Sequence, residues 1–196
     1  VANHFADVAE SVVVLDNLSS GSEAWLETSE TLFVELGDVR DKDFVGRVFD
    51  EYSPTHVIHA AASYQDPDDW EGDLAVNGLG TLNIVRSSEI AGVDSLVYLQ
   101  TALVYGNASH SPISAEALAE PFTSYGISKL VGERYVLAGA TPVSVSLRLA
   151  NVCAPRLSIG PIPAFYRKIL AGEECQATPA VRDFLHVADF ISLVER

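Results

Sequence analysis

Methionine is missing altogether from these 196 residues, and cysteine is reduced to Cys153 and Cys175. Two cysteines with no C-x-x-C spacing exclude a disulfide framework and a thiolate zinc site. Both are expected as free thiols of a reducing, cytoplasmic compartment. Positive charge is equally scarce, with 12 Lys and Arg against 27 Asp and Glu, for a formal net charge of −15. That balance excludes nucleic acid or an anionic membrane as the main partner, though it leaves room for a locally basic pocket. No apolar run approaches the roughly 20 residues of a membrane span, and no signal peptide is visible. The five histidines lack ligand spacing with Cys or carboxylates, so no metal is expected. His56 and His59, flanking a β-branched run, read as packed strand-end residues. What remains is apolar enough, at 48% hydrophobic residues, to build a sizeable core.

The pattern that fills this frame alternates strand and helix. Val1, Phe5, Val8 and Ala9 form an apolar helical stripe with no capping residue ahead of it, like the back half of a helix. Short apolar runs follow at 11–15, 31–35, 55–59, 95–100 and 143–149, with helices expected at 42–52, 73–91 and 124–138. Such alternation implies an α/β fold with a parallel, doubly wound sheet. Past Arg148 the chain breaks into Pro-rich loops with one short helix at about 163–171. Residues 1–150 are therefore read as an incomplete doubly wound domain of Rossmann type, and 151–196 as a small, loop-rich C-terminal region with a return segment.

Asp16 ends the first apolar run. An acid at the tip of the second strand of a βαβ unit can bind both hydroxyls of an adenosine ribose and would repel a 2′-phosphate, which favours NAD; otherwise it is a simple turn residue. The glycine-rich turn that accompanies such an acid lies about 20 residues earlier. Counting back from Asp16 runs off the start of the chain, so the first strand and the phosphate-cradling loop are expected to be lacking. Ala60, Ala61 and Ala62 close the strand at 55–59, where small residues admit a flat cofactor or make a tight strand–helix junction. Asn77 is a polar side chain amid Leu74, Leu79, Leu82 and Val85.

The stretch Thr123-Ser124-Tyr125-Gly126-Ile127-Ser128-Lys129 carries the chemistry. Thr123 or Ser124 can cap a helix towards Ala138, and Tyr125 and Lys129 then share one face, one turn apart. An ammonium beside a phenol favours the phenolate; lowering a tyrosine from about 10 to near 7 takes roughly 4 kcal/mol. In isolation such a pair is ordinarily an exposed Tyr over a Lys.

Eight motifs change that reading: LDNLSSG, GDVRD, HAAA, VNGLGTLN, TALVYG, SYGISK, RLANVCAPR and RDFLHVAD, in order over nearly the whole chain. Together they resemble the extended short-chain dehydrogenase/reductase family, in its NAD-dependent nucleotide-sugar epimerase/dehydratase branch. Around AASYQDPDDW and LQTALVYG the chain is similar to epimerases of bacterial O-antigen (lipopolysaccharide) sugar biosynthesis. The resemblance implies that Tyr125 is the acid/base, Lys129 its pKa partner and ribose ligand, and Thr101 the hydroxyl that bonds the reacting sugar oxygen. It further implies that Asp16 and Asn17 hold the adenosine ribose, and Asp38 and Val39 the adenine. Ala60, Ala61 and Ala62 would line the groove with Asn77 beneath, and Leu149 and Ala150 would lie near the nicotinamide. Asn151 and Arg182 resemble ligands of the nucleotide diphosphate. The implied activity is C4 epimerisation of a nucleotide sugar, with a UDP-sugar the expected partner, a homodimer possible by analogy and cytoplasmic location.

Ala102 and Leu103 stand where family dehydratases carry Asp-Glu, which ranks an epimerase ahead of a 4,6-dehydratase or reductase. Cys153-Ala154 replaces a commoner Tyr-Gly, and the stretch between Gly172 and Arg182 is short for the family. A third reading is a catalytically silent fragment or binding module. Without the cradle for the pyrophosphate, these residues by themselves are expected to bind NAD poorly.

Overall fold

A computed structural model describes residues 1–108, 110–157, 160–176, 179 and 181–196. The chain divides into two compact units, Val1–Arg148 and Leu149–Arg196. In the first, α1 (Ala2–Val8) leads into β1 (Val12–Asp16), and β2 (Leu32–Leu36) pairs with β1 in parallel, Val12 opposite Leu32 and Asp16 opposite Leu36. Helix α2 (Lys42–Tyr52) starts where the Asp41 carboxylate accepts the free N–H groups of Asp43 and Phe44. It ends at Ser53, in the left-handed region. Strand β3 (His56–His59) pairs in parallel with β4 (Ser95–Thr101), and β5 (Val143–Leu149) completes that sheet in the order β3-β4-β5.

The α/β class with parallel sheets follows the sequence reading. Strands β1 and β2 form a sheet of their own, and among the described residues no strand joins it to β3-β4-β5. A doubly wound sheet is continuous only when a further strand pairs with both groups.

The helical segment expected at 73–91 is built in three pieces. Helix α3 (Trp70–Asp73) is capped by the Asp69 side chain on Gly72 N, a π-helical stretch runs Leu74–Gly80, and α4 (Thr81–Ala91) completes it. A π segment widens the helix by one residue per turn and recurs at functional sites. Here it spans Asn77 and Gly80, and at Gly80 any Cβ would come within 2.6 Å of Val39 Cγ2. Valines 39, 45, 85, 93 and 136 form one core with Phe49, Ile84, Leu96 and Tyr98, between the helices and β4.

Helix α5 (Ser124–Ala138) is set by the Thr123 hydroxyl, which accepts from Gly126 N at 3.1 Å. One face of α5 is small, with Ser124, Ser128 and Gly132 at successive turns. A Cβ on Gly132 would fall 2.5 Å from the Tyr98 hydroxyl and 2.6 Å from the Asn77 carbonyl oxygen. That closeness seats α5 on β4 and on the π stretch, and so carries Lys129 into the interior with Tyr125 half-buried one turn before it.

In the second unit, β6 (Asn151–Cys153) pairs in parallel with β7 (Phe184–His186). Helix α6 (Pro161–Leu170) and helix α7 (Val187–Val194) complete it, the latter capped by His186 Nδ1 accepting from Ala188 N. No helix among the described residues is long and apolar enough to cross a membrane.

Candidate active site

Thr101 is the last residue of β4, and its backbone N–H donates to its neighbour Gln100 Oε1 at 2.8 Å. Gln100 in turn donates to the Lys129 carbonyl at 2.9 Å, so strand tip and helix are tied by one side chain. The Thr101 hydroxyl accepts from Leu103 N at 3.2 Å and lies near enough to the Tyr125 phenol to favour its ionisation. Tyr64, from the loop after β3, meets the Tyr125 ring edge-on with centroids 6.1 Å apart.

Burial pushes the Tyr125 phenol up to about 12, assisted by the charges of Tyr64 and Asp73 and opposed by the Thr101 hydroxyl. Lys129 is only 1% exposed, and burial pulls its ammonium down to about 7. The ammonium lies over the Tyr98 ring, 4.0 Å from its centroid, and among the described residues no hydrogen bond or carboxylate reaches it. The sequence led us to expect a phenol made acidic by the amine. In this state desolvation governs both groups and drives each towards its neutral form. The site holds an un-ionised phenol beside a lysine poised near neutral pH.

Why Lys129 has no anion is visible on its own helix. Tyr125, Lys129 and Glu133 are spaced four apart on one face, so Glu133 is the carboxylate that ought to meet the ammonium. Arg148 from β5 takes it instead: Nε donates to Glu133 Oε2 at 2.9 Å and Nη2 to Oε1 at 2.7 Å, while Ser146 Oγ adds 2.8 Å to Oε2. Burial opposes ionisation of Glu133, but this fork holds its carboxyl below the ordinary range.

Close by, the His59 and Tyr98 rings meet with centroids 5.5 Å apart, and His59 Nε2 lies 2.9 Å from Thr81 Oγ1. Thr81 spends its one proton on the Asn77 carbonyl at 2.7 Å, so His59 must donate through Nε2. Burial, and the nearby Lys129 charge, lower His59 to about 3. Asn77 clips the loop after β3 in both directions: its Oδ1 accepts from Ser63 N and its Nδ2 donates to Ser63 O, each at 2.9 Å, and Nδ2 also reaches Ser128 Oγ at 3.0 Å.

At the other edge, Asp16 Oδ1 accepts from Leu18 N at 2.7 Å. The Asn17 amide donates to Asp38 Oδ2 at 2.9 Å, joining the ends of β1 and β2. Arg40 forks onto both Asp38 oxygens, and this bond, with help from Asn17, keeps the Asp38 carboxyl far below its usual range. Val39 turns its side chain into the core and gives its carbonyl to Asn83 Nδ2 at 2.9 Å. Ala60 is exposed, with Ala61 and Ala62 half-buried. Leu149 and Ala150 are half-buried in the second unit. There Asn151 Nδ2 donates to the Asp183 carbonyl at 3.0 Å, beside the exposed Arg182.

Three residues escaped sequence reasoning. Glu133 and Ser128 could have been found as the i+4 neighbours of Lys129 and Ser124. Asp73, 1% exposed with its Oδ1 lacking any hydrogen-bond partner, offered no signal beyond its place at a helix start. No group of three or more His, Cys, Asp or Glu among the described residues could hold a metal ion.

Comparison with known proteins gives this geometry its context. The model of the family described as "NAD dependent epimerase/dehydratase family" matches residues 1–196. A UDP-glucose 4-epimerase of Streptomyces lividans is 31% identical over 217 residues, covering 96% of this chain and 64% of the relative. Among solved structures, the Bordetella bronchiseptica enzyme WbmG in complex with NAD and UDP superposes with a TM-score of 0.94 at 44% identity, covering 98% of this chain and 62% of that one. WbmH of the same organism, in complex with NAD+, gives 0.94 at 34% identity, covering 99% and 65%. The chain thus spans under two thirds of the length of these relatives. With a match over its whole length and parallel strands that end on Asp16, His59 and Thr101, the chain belongs to the NAD-dependent epimerase/dehydratase family.

Proposed function

We propose that the protein is an NAD-dependent nucleotide-sugar epimerase that inverts C4 of a UDP-sugar through a transient 4-keto sugar. The observation that carries this reading is the grouping of half-buried Thr101 and Tyr125 with the fully buried Lys129, whose ammonium has no acceptor of its own. An ammonium in a dry site without an acceptor suits the hydroxyls of a cofactor ribose, and the open Ala60–Ala62 surface suits a flat ring system. Asp16 and Asn17 would hold the adenosine ribose, Asp38 and Val39 the adenine, and Leu149 and Ala150 the nicotinamide end, with Asn77 fixing the groove wall. NAD, when bound, supplies the acceptor and donor of the C4 hydride. Tyr125, as phenolate, takes the proton of the C4 hydroxyl and later returns it, while Thr101 orients that oxygen. Lys129, recharged by ribose contacts, favours the phenolate. Asn151 and Arg182 would bind the diphosphate.

Ala102 and Leu103 support epimerisation over dehydration, since neither can move a proton at C5 or C6. The Streptomyces lividans relative named above is a UDP-glucose 4-epimerase, which favours UDP-sugars. The free cysteines suit a cytoplasmic enzyme, and the likeness to O-antigen epimerases suggests a role in supplying lipopolysaccharide sugars. Exposed Ile90, Ile127 and Leu137 on α4 and α5 would be covered in a homodimer, which sedimentation would detect as a doubled mass.

The test is incubation of the protein with NAD and UDP-glucose. The reading expects UDP-galactose without net NADH; steady NADH would indicate a dehydrogenase, and a 4-keto-6-deoxy product a dehydratase.

A further inference from the structure

Helices α4 and α5 run side by side in register. Asn77 bonds Ser128, and Glu89 Oε1 accepts from Ala140 N at 2.8 Å, both pairs 51 residues apart. The same offset sets Asp73, one turn before Asn77, against Ser124 and Tyr125, the first two residues of α5, and α3 packs on α5 there. Asp73 is 1% exposed, and its Oδ1 has no donor. A carboxylate left so is costly unless something uses it.

We propose that Asp73 is a positioning residue for Tyr125: its carboxylate, shut in against the first turn of α5, keeps the proton on the Tyr125 oxygen in the resting protein and makes the phenolate a stronger base once formed. The neighbourhood of the phenol contains Tyr64 from the loop after β3, Thr101 and Tyr98 on β4, Asp73 on α3 and Lys129 on α5 itself. Asp73 is the one carboxylate among these groups, and its like charge acts in the same direction as burial. In the proposed epimerase, Lys129 and Asp73 then pull the phenol in opposite directions, and the balance sets when the C4 proton is taken. This consequence rests on the epimerase reading; the coupling of Asp73 to Tyr125 does not.

The experiment labels tyrosine ring Cζ with carbon-13 in the protein without substrate and assigns Tyr125 by its loss in Tyr125→Phe. The signal is followed to the highest pH at which the fold persists. In Asp73→Asn the Tyr125 resonance should begin to titrate about one pH unit lower than in the parent, the scale of a nearby like charge. Asp73→Glu should restore the parent curve. Coincident curves for parent and Asp73→Asn, two flat ones included, overturn the proposal; should the Asn variant not fold, Asp73→Ser gives the same comparison. In the epimerase assay, the acid limb of kcat/KM should move to lower pH in Asp73→Asn, with a plateau rate roughly threefold to tenfold lower. Absence of epimerisation by the parent would sink the reaction assignment and leave the titration result standing.

Discussion

Lys129 and His59 each bind fewer protons folded than unfolded, for the same reason: the folded chain buries them without an anion. For His59 the window runs from about 3 up to its ordinary 6.5, and for Lys129 from about 7 up to 10.5. Stability rises with pH wherever the unfolded state holds more protons. Both groups therefore stabilise the fold with rising pH, and acidification below 6.5 progressively removes the His59 contribution. Denaturant midpoints measured from pH 5 to 10 should climb, and Lys129→Met should flatten the climb above pH 7. A parent midpoint that falls between pH 7 and 10 while the Met variant shows no difference would contradict the buried, unpaired ammonium. The residue types at this site were legible in the sequence, because Thr, Tyr and Lys are spaced as the family spaces them. Their protonation was not, because desolvation depends on how closely Gly132 lets α5 approach Tyr98.

At the scale of elements, α5 is held by its small face and by the Glu133–Arg148 fork. Gly132→Ala would drive a methyl into the Tyr98 hydroxyl and the Asn77 carbonyl, and overpacking of this kind costs about 1–3 kcal/mol. Thermal unfolding should show the loss, with Lys129 displaced as Tyr98 shifts. Arg148→Gln should cost about 3 kcal/mol, since it leaves a buried carboxylate with Ser146 as the one remaining donor of the three described. It should also release Glu133 to the lysine four residues earlier, so that Lys129, read by carbon-13 at Cε, titrates above the parent's value near 7. An unchanged Lys129 titration would show that Glu133 does not turn. The limits of α2, α5 and β5 followed from capping and period alone. The π stretch did not, because Leu74–Gly80 has the same apolar spacing as an α-helix. Three-residue β6 and β7 are too short to leave an alternating pattern.

Over the whole molecule, the α/β class and the order of elements were readable because β2, β3 and β4 are compact apolar runs, each followed by a helix with a side-chain cap. The division into two separate parallel ladders in the first unit was readable only as an expected gap in pairing, since hydrogen-bond partners far apart in sequence leave no local trace. The second unit carries Asn151 and Arg182 on or beside its small β6–β7 ladder, and the family resemblance, not periodicity, drew attention to them. The proposed chemistry nevertheless converges on one atom, the Tyr125 oxygen. Its most direct test is the rate of C4 inversion by Tyr125→Phe, measured alongside retained NAD. Acid/base help of this type is worth roughly 10²–10⁴-fold. A kcat reduced by that factor, with cofactor content unchanged, is what the account predicts; a Phe variant turning over within about threefold of the parent would contradict it.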